Sequence, residues 1–436
     1  MSAFGMIELG DRRYALPARK TVVFCVDGCG PEYLDQALAD GLMPRLAGTL
    51  AAGGLYVRGR GQIPSFTNPN NVSIVTGQPA RVHGISGNYY LDAATGEEVP
   101  MNDPRFLRVP TLFEKMEQAG VRTLCVTAKD KLRALLGACR EGGPRPISLS
   151  AEKAHEQAIP EHGIGSITAA VGRENPSIYD WDISHYAMEM GLALHERLSA
   201  TLLYVSLTDY VQHKEPPRGP MSDRFYARFD ALFGEYLDAG FVCGITADHG
   251  MNDKTAQDGS PNVRYLDDAL REAGLSGFRV LLPITDPYVV HHGALGSYAT
   301  VYLGAPDDSA RAAQVLGRLP GVELVLAREE AARRFALPPD RIGDLVILGD
   351  RSTVLGKSAA YHDLSAVQRG LRSHGGLHEA EVPILASHPL RPGERAWLLG
   401  AEAAEADADA ARGRPSALSN ADVFDLVLNR LSTAMA

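Results

Sequence analysis

Residues 20–30 read Lys-Thr-Val-Val-Phe-Cys-Val-Asp-Gly-Cys-Gly. An apolar run at 20–26, rich in β-branched side chains, is followed directly by Asp27. Such a run is typical of a strand buried on both faces of a parallel sheet, as in α/β proteins. Asp27 would then lie at the carboxyl end of a strand, where open α/β sheets place their sites. The alternative is that Asp27 only caps a helix beginning near Pro31. Cys25, on the strand, is interpreted as a small core residue.

Two later predicted strands end in the same way. Residues 201–207 are followed by Thr-Asp-Tyr-Val-Gln-His, which contains Asp209 and His213, and residues 241–247 are followed by Asp248 and His249. The first Asp–His pair is four residues apart, so one helical turn would place both side chains on one face, a spacing that suits one metal ion. Three aspartates and two histidines are therefore expected at one edge of the sheet.

A threonine lies at the start of a predicted helix in residues 64–77, which read Pro-Ser-Phe-Thr-Asn-Pro-Asn-Asn-Val-Ser-Ile-Val-Thr-Gly. Pro69 falls in the first turn, where the missing N–H is tolerated, and Gly77 supplies a left-handed end. The Thr67 hydroxyl would face free N–H groups, which favours binding of a phosphoryl group. Because threonine is a poor nucleophile at neutral pH, a metal ion or a base must activate it.

Further polar candidates flank these elements. The predicted strand at 122–127 is followed by Lys129 and Lys131, which point the same way if the chain stays extended and would then form an anion clamp. The alternative for this pair is a solvated charge cluster. The amide of Asn88 could donate to a phosphoryl oxygen. The glycine-rich loop at 372–379 carries His374 and His378 and can fold tightly around an ion.

The domain organisation follows from a change of pattern at residue 257. Residues 257–365 alternate short strands and helices with proline-rich turns, which predicts a small α+β module inserted into the main sheet. The core would comprise residues 1–256 and 366–436. His291 and His292, inside the module, are interpreted as surface or core residues. Residues 401–414 are predicted to be a surface segment, and residues 419–431 an amphipathic closing helix.

Composition restricts the class of protein. A length of 436 residues suffices for one large α/β domain with an insertion, and a net charge of -10 argues against a nucleic-acid surface. The sequence contains no apolar run of membrane-spanning length and no secretory pattern at its start, and its five cysteines do not form a disulfide framework. We therefore expect a cytoplasmic protein without membrane or nucleic-acid partners. α/β enzymes of this size are often homodimers.

Taken together, the ordered candidates resemble the alkaline phosphatase superfamily, in the branch that holds nucleotide pyrophosphatase/phosphodiesterases and phosphonoacetate hydrolases. The similarity extends over residues 20–387, and its most specific part is Thr-Asn-Pro-Asn at 67–70, followed by Val-Thr-Gly at 75–77 and His-Gly-Ile at 83–85. The resemblance implies a three-layer α/β/α core with a mostly parallel sheet and a small inserted α+β cap module.

The same resemblance implies two zinc ions. One would be held by Asp209, His213 and His374, and the other by Asp27, Asp248, His249 and the Thr67 oxygen. His374 is preferred over His378 because its Ser-His-Gly-Gly context matches the family motif better. Asp and His ligands also accept Mn2+, Fe2+ or Co2+, so the metal is not determined by the ligands alone.

Within this branch the similarity is greatest to the phosphonoacetate hydrolases, because of Lys129-x-Lys131, the Val-Asp-Gly-Cys segment at 26–29 and the compact module. It implies cleavage of the carbon–phosphorus bond of phosphonoacetate to acetate and phosphate through a phosphothreonine at Thr67. Asn88 would bind the phosphoryl group, and the two lysines would hold the carboxylate and neutralise the charge that develops on it.

Two other functions remain open at this point. A nucleotide pyrophosphatase/phosphodiesterase would use the same metal site for phosphate diesters, with Phe66 and Tyr89 as an aromatic pair around a base. A non-catalytic metal-binding module is disfavoured, because structural zinc sites usually contain cysteines and none of the five cysteines lies in a Cys-x-x-Cys pair.

Overall fold

The structure is a computed structural model that describes residues 5–92, 94–284, 294–365, 367, 370–394, 398 and 415–432. The predictions for His291, His292 and the surface segment at 401–414 lie outside the described residues. Among the helices that the structure describes, none has the length and apolarity needed to cross a membrane.

Strands and helices alternate along the described chain. The strands are β1 Met6–Leu9, β2 Arg12–Ala15, β3 Thr21–Cys25, β4 Leu55–Arg60, β5 Tyr89–Asp92, β6 Glu97–Pro100, β7 Thr123–Thr127, β8 Ile147–Ser150, β9 Leu202–Ser206, β10 Val242–Thr246, β11 Asn252–Asp253, β12 Val263–Tyr265, β13 Arg279–Leu281, β14 Tyr298–Tyr302, β15 Val322–Ala327, β16 Leu345–Gly349, β17 Val354–Gly356, β18 Arg372–Ser373, β19 Glu381–Ala386 and β20 Pro415–Ser419. The α-helices are α1 Pro31–Ala39, α2 Pro44–Ala51, α3 Thr67–Thr76, α4 Ala80–His83, α5 Leu112–Gln118, α6 Asp130–Leu136, α7 Ile167–Val171, α8 Ile183–Leu194, α9 Tyr210–Lys214, α10 Pro220–Asp238, α11 Leu266–Glu272, α12 Ser309–Leu316, α13 Arg328–Arg334 and α14 Val423–Asp425. Short 3-10 helices cover Pro104–Phe106, Ala154–Glu156, Pro160–His162, Pro306–Asp308, Pro339–Arg341, Leu377–Glu379 and Asn420–Asp422, and a π-helix covers Leu426–Arg430.

The main sheet has the strand order β20-β4-β19-β10-β3-β9-β7-β8. Strands β10, β3, β9, β7 and β8 run parallel to one another, and β20 is parallel to β4, whereas β19 is antiparallel to both β10 and β4. The sheet is thus mostly parallel, which confirms the predicted α/β class. Such sheets need a covering layer on both faces, because their strands are apolar throughout.

The side chains of β3 show how the two faces are covered. Val22 and Phe24 pack into a hydrophobic cluster with helices α1, α2, α8 and α10. Val23 and Cys25 pack into a second cluster with helices α3, α5 and α6. Alternate residues of one strand therefore enter opposite layers, which confirms the three-layer α/β/α core and the interpretation of Cys25 as a core residue.

A second, antiparallel sheet has the order β13-β14-β16-β15. One of its faces packs against helices α11 and α12. The other packs against α13 and against Phe66, the residue that precedes the predicted nucleophile Thr67. This separate sheet is consistent with an inserted α+β module at 257–365, and those limits remain a prediction.

The C-terminal segment was predicted to form an amphipathic closing helix at 419–431. It consists of strand β20, a 3-10 turn, the short helix α14 and a π-helical turn. Val423, Phe424, Leu426 and Val427 are buried as the apolar pattern predicts. The predicted closing helix is thus observed as an uninterrupted helical run over residues 420–430, whose turns change in width because apolar spacing does not determine the type of turn. It begins one residue later than predicted, because Ser419 is still paired within the sheet.

Candidate metal centre and nucleophile

Three aspartates follow three adjacent central strands. Asp27 follows β3, Asp209 follows β9 and Asp248 follows β10, and the strand order β10-β3-β9 makes these strand ends neighbours. All three carboxylates are buried. The expected convergence at the carboxyl edge of the sheet is therefore observed.

Asp27, Asp248 and His249 form the first group, with ligand atoms that all lie within 4.8 Å of one another. His249 Nε2 is 3.2 Å from Asp27 Oδ1 and 3.9 Å from Asp248 Oδ2. The Asp248 carboxylate is also oriented by its surroundings, since its Oδ1 accepts hydrogen bonds from the backbone N–H of Gly28 at 3.3 Å and of His249 at 3.0 Å. The three side chains match the predicted ligands of one metal ion.

Asp209, His213 and His374, the predicted ligands of the other ion, are called the second group here. The ligand atoms that the structure brings within 4.8 Å of one another are instead those of Asp209, His249 and His374, so His249 is shared and His213 lies outside that set. Asp209 Oδ2 lies 2.9 Å from His213 Nε2 and 3.7 Å from His374 Nε2. The spacing of four residues places Asp209 and His213 at the two ends of one helical turn, as predicted. The His249 and His374 rings stack with centroids 3.6 Å apart, so the two groups are contiguous.

The three imidazoles share one hydrogen-bonding arrangement. Each has its Nδ1 within hydrogen-bond distance of a backbone carbonyl oxygen, which can only accept: His213 with Arg372 at 2.7 Å, His374 with Ser65 at 2.7 Å, and His249 with Gly250 at 3.0 Å. The proton of the neutral ring is thereby assigned to Nδ1. Each Nε2 then presents a lone pair towards the carboxylates, the arrangement expected of metal-bound histidines.

The electrostatics of the cluster favour a cation. Burial raises the pKa of Asp27 well above its usual value, and the neighbouring Asp209 and Asp248 raise it further. Burial, with Asp209, raises the pKa of Asp248 to about 7. Burial lowers the pKa of His249 and of His374, which keeps both rings neutral. Carboxylates and neutral imidazoles this close in a buried site are stabilised when a divalent cation lies between them.

Unsatisfied polar atoms support the same conclusion. Both carboxylate oxygens of Asp27 and Nε2 of His249 are buried and have no hydrogen-bond partner among the described residues. Buried polar atoms are almost always paired, so these three require another partner. Carboxylate oxygens with imidazole nitrogens are a donor set that zinc accepts. The residues present therefore fit a metal ion.

The Thr67 hydroxyl group is carried by the first residue of α3, as predicted, and Gly77 ends that helix with φ 63°. Asn71, one turn further along, connects Thr67 to the first group of predicted ligands. Its Nδ2 donates to the Thr67 carbonyl oxygen at 3.0 Å and to Asp248 Oδ2 at 3.1 Å. Its Oδ1 accepts from the hydroxyls of Tyr204 and Ser206 at 2.7 and 2.8 Å.

Sequence reasoning did not identify Asn71. The signal was its position four residues after Thr67, which places both on one face of the helix. The partners in β9 could not be read from the sequence because they are more than 130 residues away.

The loop that carries His374 is hydrogen-bonded to Ser65, two residues before Thr67. The Gly375 N–H donates to Ser65 Oγ at 3.0 Å, and Ser65 Oγ donates to the Gly376 carbonyl at 2.9 Å. Gly375 has φ 118°, and a Cβ there would lie 2.6 Å from the Phe66 ring, so glycine is required. His378, by contrast, lies outside the cluster with Nε2 2.8 Å from Glu323 Oε2.

The lysine pair is arranged differently from the extended segment assumed above. Helix α6 begins at Asp130, directly after Lys129, so the chain does not stay extended and strand alternation does not apply. Lys129 is buried, with Nζ 2.9 Å from Asp209 Oδ1. Burial alone would raise the pKa of Asp209, but this ammonium lowers it well below its usual value. Lys131 is half-buried in the first turn of the helix.

Asn88 contacts the start of the helix that carries Thr67. Its Oδ1 accepts from the backbone N–H of Asn68, the residue after Thr67, at 3.1 Å. The amide nitrogen is thus the end that can donate to a phosphoryl oxygen. Phe66 is fully buried against Tyr298 and His374, so it cannot stack on a nucleotide base as the diesterase alternative required.

Comparison with known proteins shows the family of the chain. Residues 21–377 match the model of the type I phosphodiesterase / nucleotide pyrophosphatase family. The chain belongs to this family. It is a hydrolase with an alkaline-phosphatase-like α/β fold.

Solved structures extend the comparison. The phosphonoacetate hydrolase from Sinorhizobium meliloti 1021, solved in complex with phosphonoformate and with phosphonoacetate, is 44% identical, with TM-score 0.87 over 98% of this chain and 99% of that chain. Murine ectonucleotide pyrophosphatase / phosphodiesterase 5 is 17% identical, with TM-score 0.62 over 96% of each chain, and shows a shared fold.

Proposed function

We propose that this type I phosphodiesterase family member is a phosphonoacetate hydrolase, which cleaves phosphonoacetate to acetate and phosphate. The observation that carries the proposal is the 44% identity, over 98% of this chain, to a phosphonoacetate hydrolase solved with phosphonoacetate bound. The arrangement of nucleophile, ligand groups and lysine described above supports it.

Two divalent metal ions, proposed to be zinc, would be held by the two groups of side chains. Asp209, His213 and His374 would hold one, and Asp27, Asp248, His249 and the Thr67 oxygen the other. When bound, such ions supply positive charge that lowers the pKa of a hydroxyl and neutralises phosphoryl oxygens. Mn2+, Fe2+ or Co2+ would satisfy the same ligands.

The protein's own groups then account for the bond changes. The Thr67 hydroxyl loses its proton to solvent, and the resulting oxygen attacks phosphorus in line with the carbon–phosphorus bond. The bond electrons leave on the methylene carbon and are delocalised into the carboxylate as an enediolate. A proton from solvent then adds to that carbon and gives acetate. Asn88 donates to a phosphoryl oxygen during transfer. Water then hydrolyses the phosphothreonine to phosphate and restores the hydroxyl.

The lysines are proposed to stabilise the leaving group. Lys129 is buried beside Asp209, so its ammonium is held at the edge of the ligand cluster, where charge interactions are weakly screened. It would hold the substrate carboxylate, on which negative charge accumulates as the bond breaks. Lys131, in the first turn of α6, is proposed to bind the same carboxylate.

A direct assay tests the function. Phosphate release from phosphonoacetate is measured with zinc-loaded protein, beside release of nitrophenol from bis(p-nitrophenyl) phosphate, each with and without a chelator. We expect chelator-sensitive release from phosphonoacetate at a much higher kcat/KM than for the diester. Turnover of the diester alone would replace the proposal with a phosphodiesterase function, which the description of the matched family favours.

A further inference from the structure

A completely buried ion pair lies beside the candidate metal centre. Lys254 Nζ is 2.9 Å from Glu379 Oε1, and both side chains have an exposed fraction of 0%. Neither residue belongs to the predicted ligands. Removing both charges from water is costly, so a buried pair is weak evidence for stability and calls for another explanation.

The pair joins the two chain segments that carry ligands of different groups. Lys254 lies five residues after His249, and Glu379 lies five residues after His374. Strand β11 of the first segment pairs antiparallel with β18 of the second. The backbone N–H of Lys254 also donates to the Leu371 carbonyl at 2.7 Å. The ion pair therefore closes a short connection between His249 and His374.

The remaining hydrogen bonds of the pair fix its geometry. Glu379 Oε2 accepts from the Gly376 N–H at 3.0 Å, which holds the loop two residues after His374. Its Oε1 also accepts from Asn252 Nδ2. Lys254 Nζ donates to the Arg351 carbonyl at 2.8 Å, in the turn between β16 and β17. The ammonium thus connects both ligand-bearing segments to the second sheet.

We propose that Lys254 and Glu379 are positioning residues that set the spacing of His249 and His374, and thereby the metal affinity of the centre. This inference rests on the proposed metal-dependent function. Residues that orient ligands without touching the metal typically change its affinity by about 10- to 100-fold when they are mutated.

The test uses the double variant Lys254→Met/Glu379→Gln, which removes both charges, retains side chains of similar length and leaves a carbonyl to accept from Gly376. Zinc affinity is measured by competition with a chromogenic chelator, together with the melting temperature of the metal-free protein, kcat and KM. The matched control is Lys357→Met/Glu98→Gln, which removes a lysine–glutamate pair of 2.8 Å between β6 and the residue after β17, neither of which carries a predicted ligand.

We expect the dissociation constant of the more weakly bound zinc ion to be about tenfold or more higher in the double variant than in the wild type. The kcat of the double variant at fixed zinc should fall with little change in KM. Its metal-free melting temperature should fall by only a few degrees, because no unpaired charge is left buried although the Arg351 carbonyl and the Asn252 amide each lose a partner. The control should retain wild-type zinc affinity. A double variant with zinc affinity within twofold of the wild type overturns the inference.

A second variant covers the case in which the double variant does not fold. Glu379→Asp keeps the ion pair but shortens the side chain by one methylene, so Lys254 and Gly376 cannot both be held at their present distances. Zinc affinity severalfold below the wild type supports positioning, and unchanged affinity contradicts it. Failure of the wild type itself to bind metal or release phosphate would instead contradict the proposed function.

Discussion

The two ligand groups are built from different kinds of structure. Asp27, Asp248 and His249 directly follow central strands of the sheet, whose backbone is fixed by parallel neighbours. His374 lies in a loop that is held by Ser65 and by the strand pair β11–β18. The first group is thus determined by the sheet, and the position of His374 by contacts between segments far apart in sequence. This difference predicts unequal sensitivity to mutation.

The largest effect is expected at Thr67, the first residue of α3. Thr67→Ala removes the proposed nucleophile, and turnover of phosphonoacetate should fall by about 10⁴-fold or more, as for nucleophile removal in other hydrolases. Two metal ions should remain bound, because the aspartates and histidines are unchanged. Activity and metal content by elemental analysis provide the measurement.

The control for this variant is Thr76→Ala in the last residue of the same helix, whose hydroxyl bonds within the helix to Val72. It should retain turnover. Retained activity in Thr67→Ala would eliminate this threonine as nucleophile. Loss of one ion would show that its oxygen contributes strongly to metal binding and that the first group depends on more than the sheet.

The contrast between the sheet-determined group and the loop residue His374 is tested most directly by comparing His374→Ala with His378→Ala. We expect the first variant to lose one of two zinc ions and about 10²- to 10³-fold in kcat/KM, because electrostatic stabilisation from one group is lost. The second should keep both ions, since its imidazole pairs with Glu323 at a partly exposed position. Metal content of the dialysed proteins distinguishes the two. Equal metal loss in both variants would mean that the loop, and not the ligand, determines occupancy.

These contrasts explain how far the sequence could predict the site. Asp27, Asp209 and Asp248 were predictable because an apolar run followed by an acidic residue locates a strand end without any distant information. His213 was predictable from its spacing to Asp209. The Asn71 network was not, because its hydrogen bonds to Tyr204 and Ser206 join segments far apart in sequence.

The fold shows the same limit. Buried strands such as β3 and β9 carry a local apolar signal, and their predicted positions agree with the structure to within about two residues. The assumption that the chain stays extended from Lys129 to Lys131 did not hold, for a local reason. Helix α6 begins one residue after Lys129, and a helix that starts so soon after a strand leaves too few residues for a periodic pattern. Strand β20 owes its place to pairing with β4, which adjacent residues do not reveal.

Lys129→Met should lower the activity towards phosphonoacetate more than the activity towards a phosphate diester. We expect kcat/KM for phosphonoacetate to fall by about 10²-fold, the scale for loss of one electrostatic contact to a developing charge. The bis(p-nitrophenyl) phosphate reaction, which develops no carboxylate charge, should change by a smaller factor. Lys153→Met, which removes an exposed lysine paired with Glu156, is the matched control and should leave both reactions unchanged. Equal losses for both substrates would assign Lys129 to orienting Asp209 and not to binding the carboxylate.

Asn71→Leu tests the connection between the nucleophile helix and the sheet-determined group. The change leaves Asp248 Oδ2 and the Tyr204 and Ser206 hydroxyls without their amide partner, so the free energy of unfolding should fall by about 1–3 kcal/mol. We expect kcat to fall about tenfold, in the range for residues that orient a metal ligand. Chemical denaturation and steady-state kinetics give both numbers. Wild-type kcat in a destabilised variant would restrict Asn71 to a structural role.

The smallest effect concerns pH and the metal-free protein. Asp248 has a folded-state pKa of about 7 against an ordinary value of 3.8, and the pKa of Asp27 is also raised. Because a raised folded-state pKa means that the folded protein holds protons which the unfolded chain releases, metal-free stability should increase as pH falls from 8.5 to 7. The lowered pKa of His249 and of His374 opposes this only below about 6.5, where the unfolded chain begins to protonate histidine.

The metal-loaded protein should not share this increase, because its ligands are deprotonated throughout that range. The difference in melting temperature between loaded and metal-free protein should therefore narrow by a few degrees as pH is lowered from 8.5 to 7, with a constant buffer and ionic strength. A difference that stays constant would show that Asp27 and Asp248 are ionised in the metal-free protein. The sheet edge would then stabilise their charges without a cation, and metal binding would no longer be needed to explain the unsatisfied oxygens of Asp27.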